Sequence, residues 1–341
     1  MIQPVGVGNL NGPWILTQVL LDNQCFRYEY DERKRLVMNK VPGVGETLIV
    51  FDQRVRAVLS QNANQRNPLP GHLIKWSYIQ YDNLNRPIAE GLWTNSQSQA
   101  FHGNQAKLNL HYPNLSGQTY EPLKKTFYDN YDWVATAGFP ISGDMDQSVL
   151  NWLLPATSGF PYTQNCVQSR NVMGKITGTV TKITGTPNSI GTSIIYDTDG
   201  RMIQTQANNI FGDLDVSTFQ YNFDGKVART YTRHQNTGAK KYHVVTTMDY
   251  DALGRILKVS KTLNFDIGGL SRLISDHPIV TYEYDELGQV RSKKLGINPQ
   301  TSIAPLTDLE YEYNVRGWLL SLNKSYLTTQ TSDKYFEMEL G

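Results

Sequence analysis

The phrase YEYDELGQVRSK, from Tyr282 to Lys293, returns in near copy as MDYDALGRILKV, from Met248 to Val259. An internal repeat constrains a fold strongly, because each copy must be one supersecondary unit that buries surface against its neighbours. The shared pattern is an aromatic residue, Asp or Asn, two free positions, usually Gly, then usually a basic residue and an apolar one. Matched loosely, it occurs eight times. The anchors are Tyr30 with Asp31, Phe51 with Asp52, Tyr81 with Asp82, Tyr196 with Asp197, Tyr221 with Asn222, Tyr250 with Asp251, Tyr284 with Asp285 and Tyr313 with Asn314. Aromatic to aromatic, the steps are 21, 30, 115, 25, 29, 34 and 29 residues, so one long gap interrupts a regular unit.

Each unit predicts a β-hairpin. Tyr282 and Tyr284 flank Glu283, and Tyr311 and Tyr313 flank Glu312. Such a period of two puts both rings on one face of a strand. Asp or Asn then opens a turn through its own side chain. Gly200, Gly225, Gly254, Gly288 and Gly317 follow at the position where a tight hairpin often needs positive φ. Lys34, Val55 and Asn85 hold that slot in the early units. Asn tolerates positive φ and Val does not, so the turn after Phe51 is expected to be of another type. Pro87 cannot donate to a ladder, which places its hairpin at an edge or a bulge. One hairpin is marginal in water, so the units are expected to pair into a continuous antiparallel sheet. On this reading Asp and Gly are turn chemistry, Tyr is sheet face, and the basic residue is a solvated or ring-stacked flank.

With 39% hydrophobic residues in 341, the chain can fill a core, and its 20 tyrosines suit half-buried strands. Lys and Arg number 32 against 31 Asp and Glu, which argues against nucleic acid as the main partner. No apolar run reaches the roughly 18 residues of a membrane helix, and MIQPVGVGNLNGPW lacks the pattern of a signal peptide. An export signal would therefore lie elsewhere, on a longer parent chain. Spacing leaves the pairing of Cys25 with Cys166 open.

Searches for a site return little. HExxH, GxSxG and a phosphate loop are absent from the sequence. His102 and His111 lie nine apart without ligand partners and read as loop or surface residues. Asp197 with Asp199 reads as a turn, whereas Asp144 with Asp146 leaves a loop ion open beside the turn reading. Glu283 and Asp285 are paired carboxylates by repeat position alone. Trp76, Trp93, Trp133, Trp152 and Trp318 are candidates for stacking on sugar or, more simply, for core. No catalytic, cofactor or metal residue is assigned.

The phrase Y-x-Y-D-x-x-G-R resembles the YD repeat of Rhs proteins, found also in teneurins and in the B and C components of Tc toxins. YDERKRLVMNKVPG (30–43), FDQRVRAVLSQNANQR (51–66), YDNLNRPI (81–88), TFYDNYDW (126–133) and YNVRGWLLSLN (313–323) are similar to the Rhs-repeat proteins of Bacteroidetes. The resemblance implies an all-β fold of stacked antiparallel hairpins forming a curved sheet, part of a shell around a cavity. It also implies a secreted or cell-surface parent whose remaining shell and C-terminal toxin effector are the partners of this segment. The Asp-Pro core segment that closes such shells and cuts the toxin free is not found here. The rival reading is a surface adhesin that binds carbohydrate or protein.

Repeat spacing divides the chain into hairpins at 1–88, an irregular insert with some strands at 89–190, and hairpins at 191–341, as one fragment of a larger protein. Within the insert, residues 96–122 read as loop, TFYDNYDW as a strand end, and SVLNWLL as at most a short helix. Residues 172–186 read as two strands. A strip of hairpins with no closing segment is expected to expose unpaired edges.

Overall fold

The structure, a computed structural model, describes residues 17–155, 160–236, 240–267, 270–296, 305–324 and 336–340. The N-terminal stretch and most of the tail after Tyr326 lie outside them. Strands dominate, and among the described residues the ladders within 27–128 and within 189–339 are antiparallel. Two compact units form, one from residues 1–127 and 178–190, the other from 128–177 and 191–341.

In the first unit a helix, α1 (Gln18–Gln24), is capped by Thr17, whose Oγ1 accepts from the Leu20 amide. A meander follows: β1 (Arg27–Tyr30), β2 (Leu36–Lys40), β3 (Thr47–Phe51), β4 (Ala57–Gln61), β5 (Lys75–Tyr81), β6 (Pro87–Thr94) and β7 (Tyr120–Tyr128), each paired with the next. A one-turn helix, α2 (Ala63–Arg66), sits between β4 and β5, closed by a capping box of Asn62 and Gln65. Pro87 pairs with Tyr81 where the register shifts, so the proline occupies a bulge at the start of its strand.

Residues 96–122 are not all loop. Ser98 caps a ten-residue helix, α3 (Gln99–Leu108), by accepting from the Phe101 amide. His102 and Ala106 lie four apart and are both fully buried. They pack with Trp76, Trp93, Tyr78, Val50 and Leu59 in the core of this unit. Only two of the ten residues carry the buried face, too narrow a stripe to show as periodicity.

The second unit holds its own meander of β9 (Ser189–Tyr196), β10 (Met202–Asn208), β11 (Leu214–Tyr221), β12 (Val227–Asn236), β13 (Lys240–Tyr250), β14 (Ile256–Ile267), β15 (Leu270–Tyr284), β16 (Val290–Leu295), β17 (Thr307–Tyr313), β18 (Leu319–Leu322) and β19 (Met338–Glu339). Residues 130–155 and 160–171 fold over β9–β13. Asp146 caps a 3-10 turn at Gln147–Trp152, and Met145 and Val149 bury against Ile195, Ile203, Val216, Tyr231 and Val245. Residues 172–186 supply one strand, β8 (Ile176–Lys182), rather than two. Its end turns back where the Ile183 amide donates to the Asn188 carbonyl, with Gly185 at φ 79°.

Candidate functional site

The repeat builds one turn again and again. At Asp31 the backbone amide donates to the Arg35 carbonyl at 3.0 Å, and the Lys34 amide donates back to Asp31 at 2.9 Å. Asp31 Oδ1 accepts from the amides of Arg33 and Arg35, both at 2.9 Å. This is a three-residue hairpin loop whose last residue is left-handed and whose exit is bulged. The same pair of backbone bonds closes the turns at Asp52, Asp82, Asp197, Asn222, Asp251, Asp285 and Asn314. Gly200, Gly225, Gly254, Gly288 and Gly317 take the left-handed position at φ 76–83°. Within each unit these turns join strand to strand along one sheet edge.

Val55 corrects an expectation. It sits at φ 66°, and its turn has the same bonds as the others. Asp52 with Arg56 on one side, and pairing of β3 with β4 on the other, impose the conformation on a residue that resists it.

The second carboxylate oxygen does a different job. In five units Arg holds it: Arg35 Nε donates to Asp31 Oδ2 at 2.6 Å, and Arg56, Arg86, Arg201 and Arg255 repeat the bond at 2.6–2.7 Å. Four of the guanidinium groups so fixed lie over the aromatic ring of the next hairpin. Arg35 covers Phe51 at 4.9 Å, Arg56 covers Tyr81 at 4.6 Å, Arg201 covers Tyr221 at 4.9 Å and Arg255 covers Tyr284 at 4.4 Å. The tyrosine hydroxyl then donates back to the preceding hairpin: Tyr81 to the Ala57 carbonyl, Tyr221 to Met202, Tyr250 to Val227 and Tyr284 to Ile256, at 2.8–2.9 Å. Asp, Arg and Tyr thus form a joint between hairpins. Arg35, donating from its side chain, holds the Asp31 carboxyl below its ordinary value. Bonds from the Arg255 backbone amide do the same for Asp251, against a smaller opposing effect of burial.

One further joint is written in two pieces. Tyr128 and Asp129 end a strand, and Gly174, Lys175 and Ile176 begin another 45 residues later. The Asp129 amide donates to the Lys175 carbonyl at 3.2 Å, and Asp129 Oδ1 accepts from the Gly174 amide at 2.7 Å. Gly174 has φ 76°. Lys175 Nζ stands over the Tyr196 ring at 5.7 Å, and the Tyr196 hydroxyl donates to the Ile176 carbonyl at 2.7 Å. Residues 130–171 are therefore an insertion inside a repeat. The signal was present, as YD in TFYDN and GKI in MGKIT, but split.

The insertion is pinned by residues that sequence reading passed over. Gln204, Gln206 and Gln220 are almost fully buried on the strands beneath it. Gln206 Oε1 accepts from the Ser142 amide, and Gln204 Oε1 from the Asp146 amide. Gln220 accepts from the Leu154 amide and donates to the carbonyls of Leu154 and Gln164. Buried amides of this kind satisfy backbone groups that an irregular segment cannot satisfy itself.

The remaining candidates separate. Trp76, Trp93 and Trp133 are core, while Trp318 is exposed beneath Arg316. Asp144 pairs with Arg170, and Asp146 receives Ser148 and Arg233. Arg201 draws Asp197 and Asp199 together in their turn. Glu283 pairs with Lys294 and Arg291. His111 is exposed and His102 fully buried, so they share no site. Cys25 and Cys166 are free thiols, and burial pushes the Cys166 thiol up to about 11.

Two places have unusual chemistry. Under α3, the His102 ring meets Trp76 and Trp93 edge-on or tilted, with Nδ1 at 2.5 Å from the Tyr112 hydroxyl. Burial pulls the imidazole down to about 4. In the second unit, a groove of about 870 Å³ runs between the end of the insertion and the turns at Asn222 and Asp251. Here the code departs, with Asn222 for Asp and Lys226 for Arg, and Lys226 pairs with Asp224 instead. Tyr162 and Phe223 stand exposed at its rim with ring centroids 5.6 Å apart.

No family model matches the sequence, and no curated protein matches it. Solved structures do. A crystal structure of TcdB2-TccC3-TEV superposes on 87% of this chain and 12% of its own, at 12% identity and a TM-score of 0.40. TcdB2-TccC3 without its hypervariable C-terminal region gives 13% identity and a TM-score of 0.39 over the same shares. The chain spans about an eighth of the length of those chains.

Proposed function

We propose that this chain is a non-catalytic segment of an Rhs-type β-shell, on a secreted or surface protein whose parent encloses or presents a C-terminal effector. The observation that supports the reading is the joint. The recurring Asp, Arg and Tyr side chains are spent on neighbouring hairpins, which is what a load-distributing wall requires and a reaction centre does not. The test is the parent gene and its product. The reading expects the coding sequence to continue past Gly341 into a closing segment and an unrelated domain. That domain should resist protease within the parent and be cut when expressed alone. A parent with no further domain, or a domain cut equally in both settings, would overturn it.

One observation favours a second reading, a surface-binding module for glycan or protein. It is the groove with Tyr162 and Phe223 at its rim, which combines volume with exposed aromatic rings. Binding to a glycan array that is lost in Phe223→Ala, with the fold intact, would carry that reading. Binding unchanged in the variant would remove the groove from it.

A further inference from the structure

The helix α3 covers its sheet face with a fully buried histidine that no carboxylate faces. His102 is fully buried. Its Nδ1 is engaged by the Tyr112 hydroxyl. Its Nε2 has no partner, and the nearest polar groups of its aromatic neighbours, Trp76 Nε1 and Trp93 Nε1, have none either. Both indole nitrogens are donors, so neither can accept from an imidazolium. The groups whose rings meet His102 are Trp76 from β5, Trp93 from β6, Tyr112 from the segment after α3, and Phe101 from α3 itself; β3, on which α3 also packs, carries no titratable residue. Tyr112 is the one titratable group among them, and burial pushes its hydroxyl up to about 12. Lys75 and Glu90 point to the opposite sheet face by strand alternation. Lys107 on α3 is exposed. A protonated His102 would thus be a fully buried charge with no facing carboxylate, a state that opening of the helix relieves by returning the ring to water.

We propose that His102 makes α3 an acid-released latch over the aromatic face of the first unit. The imidazole is neutral while the helix is seated, and it takes a proton when the helix lifts. The sign follows from the depressed folded value. The contribution is full above the unfolded value near 6.5 and is lost as pH falls toward about 4. Within that window the ratio of seated to lifted helix drops by up to about tenfold for each pH unit. Lifting uncovers Trp76, Trp93 and Leu59, an apolar surface offered only in acid.

The test is hydrogen exchange of the full chain from pH 7.5 to 4, corrected for intrinsic rates and read at the amides of 99–108. Protection should fall about fortyfold between pH 6.5 and 4.5, and His102→Gln should abolish the dependence. Protection that holds in the native chain, or falls equally in His102→Gln, overturns the latch. If His102→Gln does not fold, the titration of the His102 ring in the native chain decides. A ring that stays neutral until the helix opens supports the proposal. A ring that protonates near 6.5 with α3 still protected overturns it.

Discussion

Strands β9–β12 and strands β14–β18 use the same joint and differ in what lies on them. The first set is covered by residues of the insertion, Met145 and Val149 among them, and buries Ile195, Ile203, Val216 and Tyr231. Among the described residues, the second set buries little beyond Val280 and small polar residues such as Ser260, Ser292 and Ser321, and its strands expose Leu257, Leu273, Ile279 and Leu320. Yet Arg255 stacks on Tyr284 as closely as Arg56 does on Tyr81. The joint therefore sets hairpin next to hairpin without help from a core. Whatever is inserted between repeats supplies the core: an α-helix in the first unit, a pinned irregular segment in the second.

The comparison can be broken where a cover meets its sheet. Trp76→Ala removes a fully buried ring beneath α3 and should cost about 3–5 kcal/mol, measured by denaturant unfolding of the first unit. Leu287→Ala, on the uncovered strip, should stay within about 0.5 kcal/mol. Two versions of one joint come next. Asp52 is 2% exposed, and Asp52→Asn removes the carboxylate charge paired with Arg56, whose other bonds include those to Asn85 and the Leu110 carbonyl, at about 3 kcal/mol. Asp251→Asn, in a more open joint, should cost about 1 kcal/mol or less. Equal costs would mean that burial does not tune the joint.

Gln220→Ala strips the Leu154 amide and two carbonyls of their partners, at about 1–3 kcal/mol. Hydrogen exchange should report it in the insertion and not in β14–β18. Acid sharpens the same contrast. Asp31 and Asp251 have carboxyls held low, so what they contribute is present above the ordinary value of 3.8 and lost only below it. Between pH 6.5 and 4.5 the strip should keep its protection while α3 loses its own. The smallest effect is a gain. Val55 is exposed and left-handed, so Val55→Gly should raise stability by about 1 kcal/mol in thermal unfolding.

The hairpins were legible in the sequence because the turn writes its own chemistry: Asp31, Asp251 and Gly254 say turn wherever they stand. What was hidden depended on partners far along the chain. The buried side of α3 is two residues wide, His102 and Ala106. Gln204, Gln206 and Gln220 look like polar strand residues until an insertion lies on them. The joint at Asp129 was hidden because its glycine is 45 residues away. Val55 shows the converse, a local preference overruled by the ladder on both sides of it.

The central claim is that Asp, Arg and Tyr couple adjacent hairpins, and a double-mutant cycle on Arg255 and Tyr284 tests it most directly. Arg255→Met, Tyr284→Leu and the double variant are compared by hydrogen exchange of the β14 and β15 amides. The account predicts a favourable coupling of about 0.5–1 kcal/mol, with protection lost across both strands in each single variant. Additive losses, or losses confined to the hairpin that carries the substitution, would contradict it.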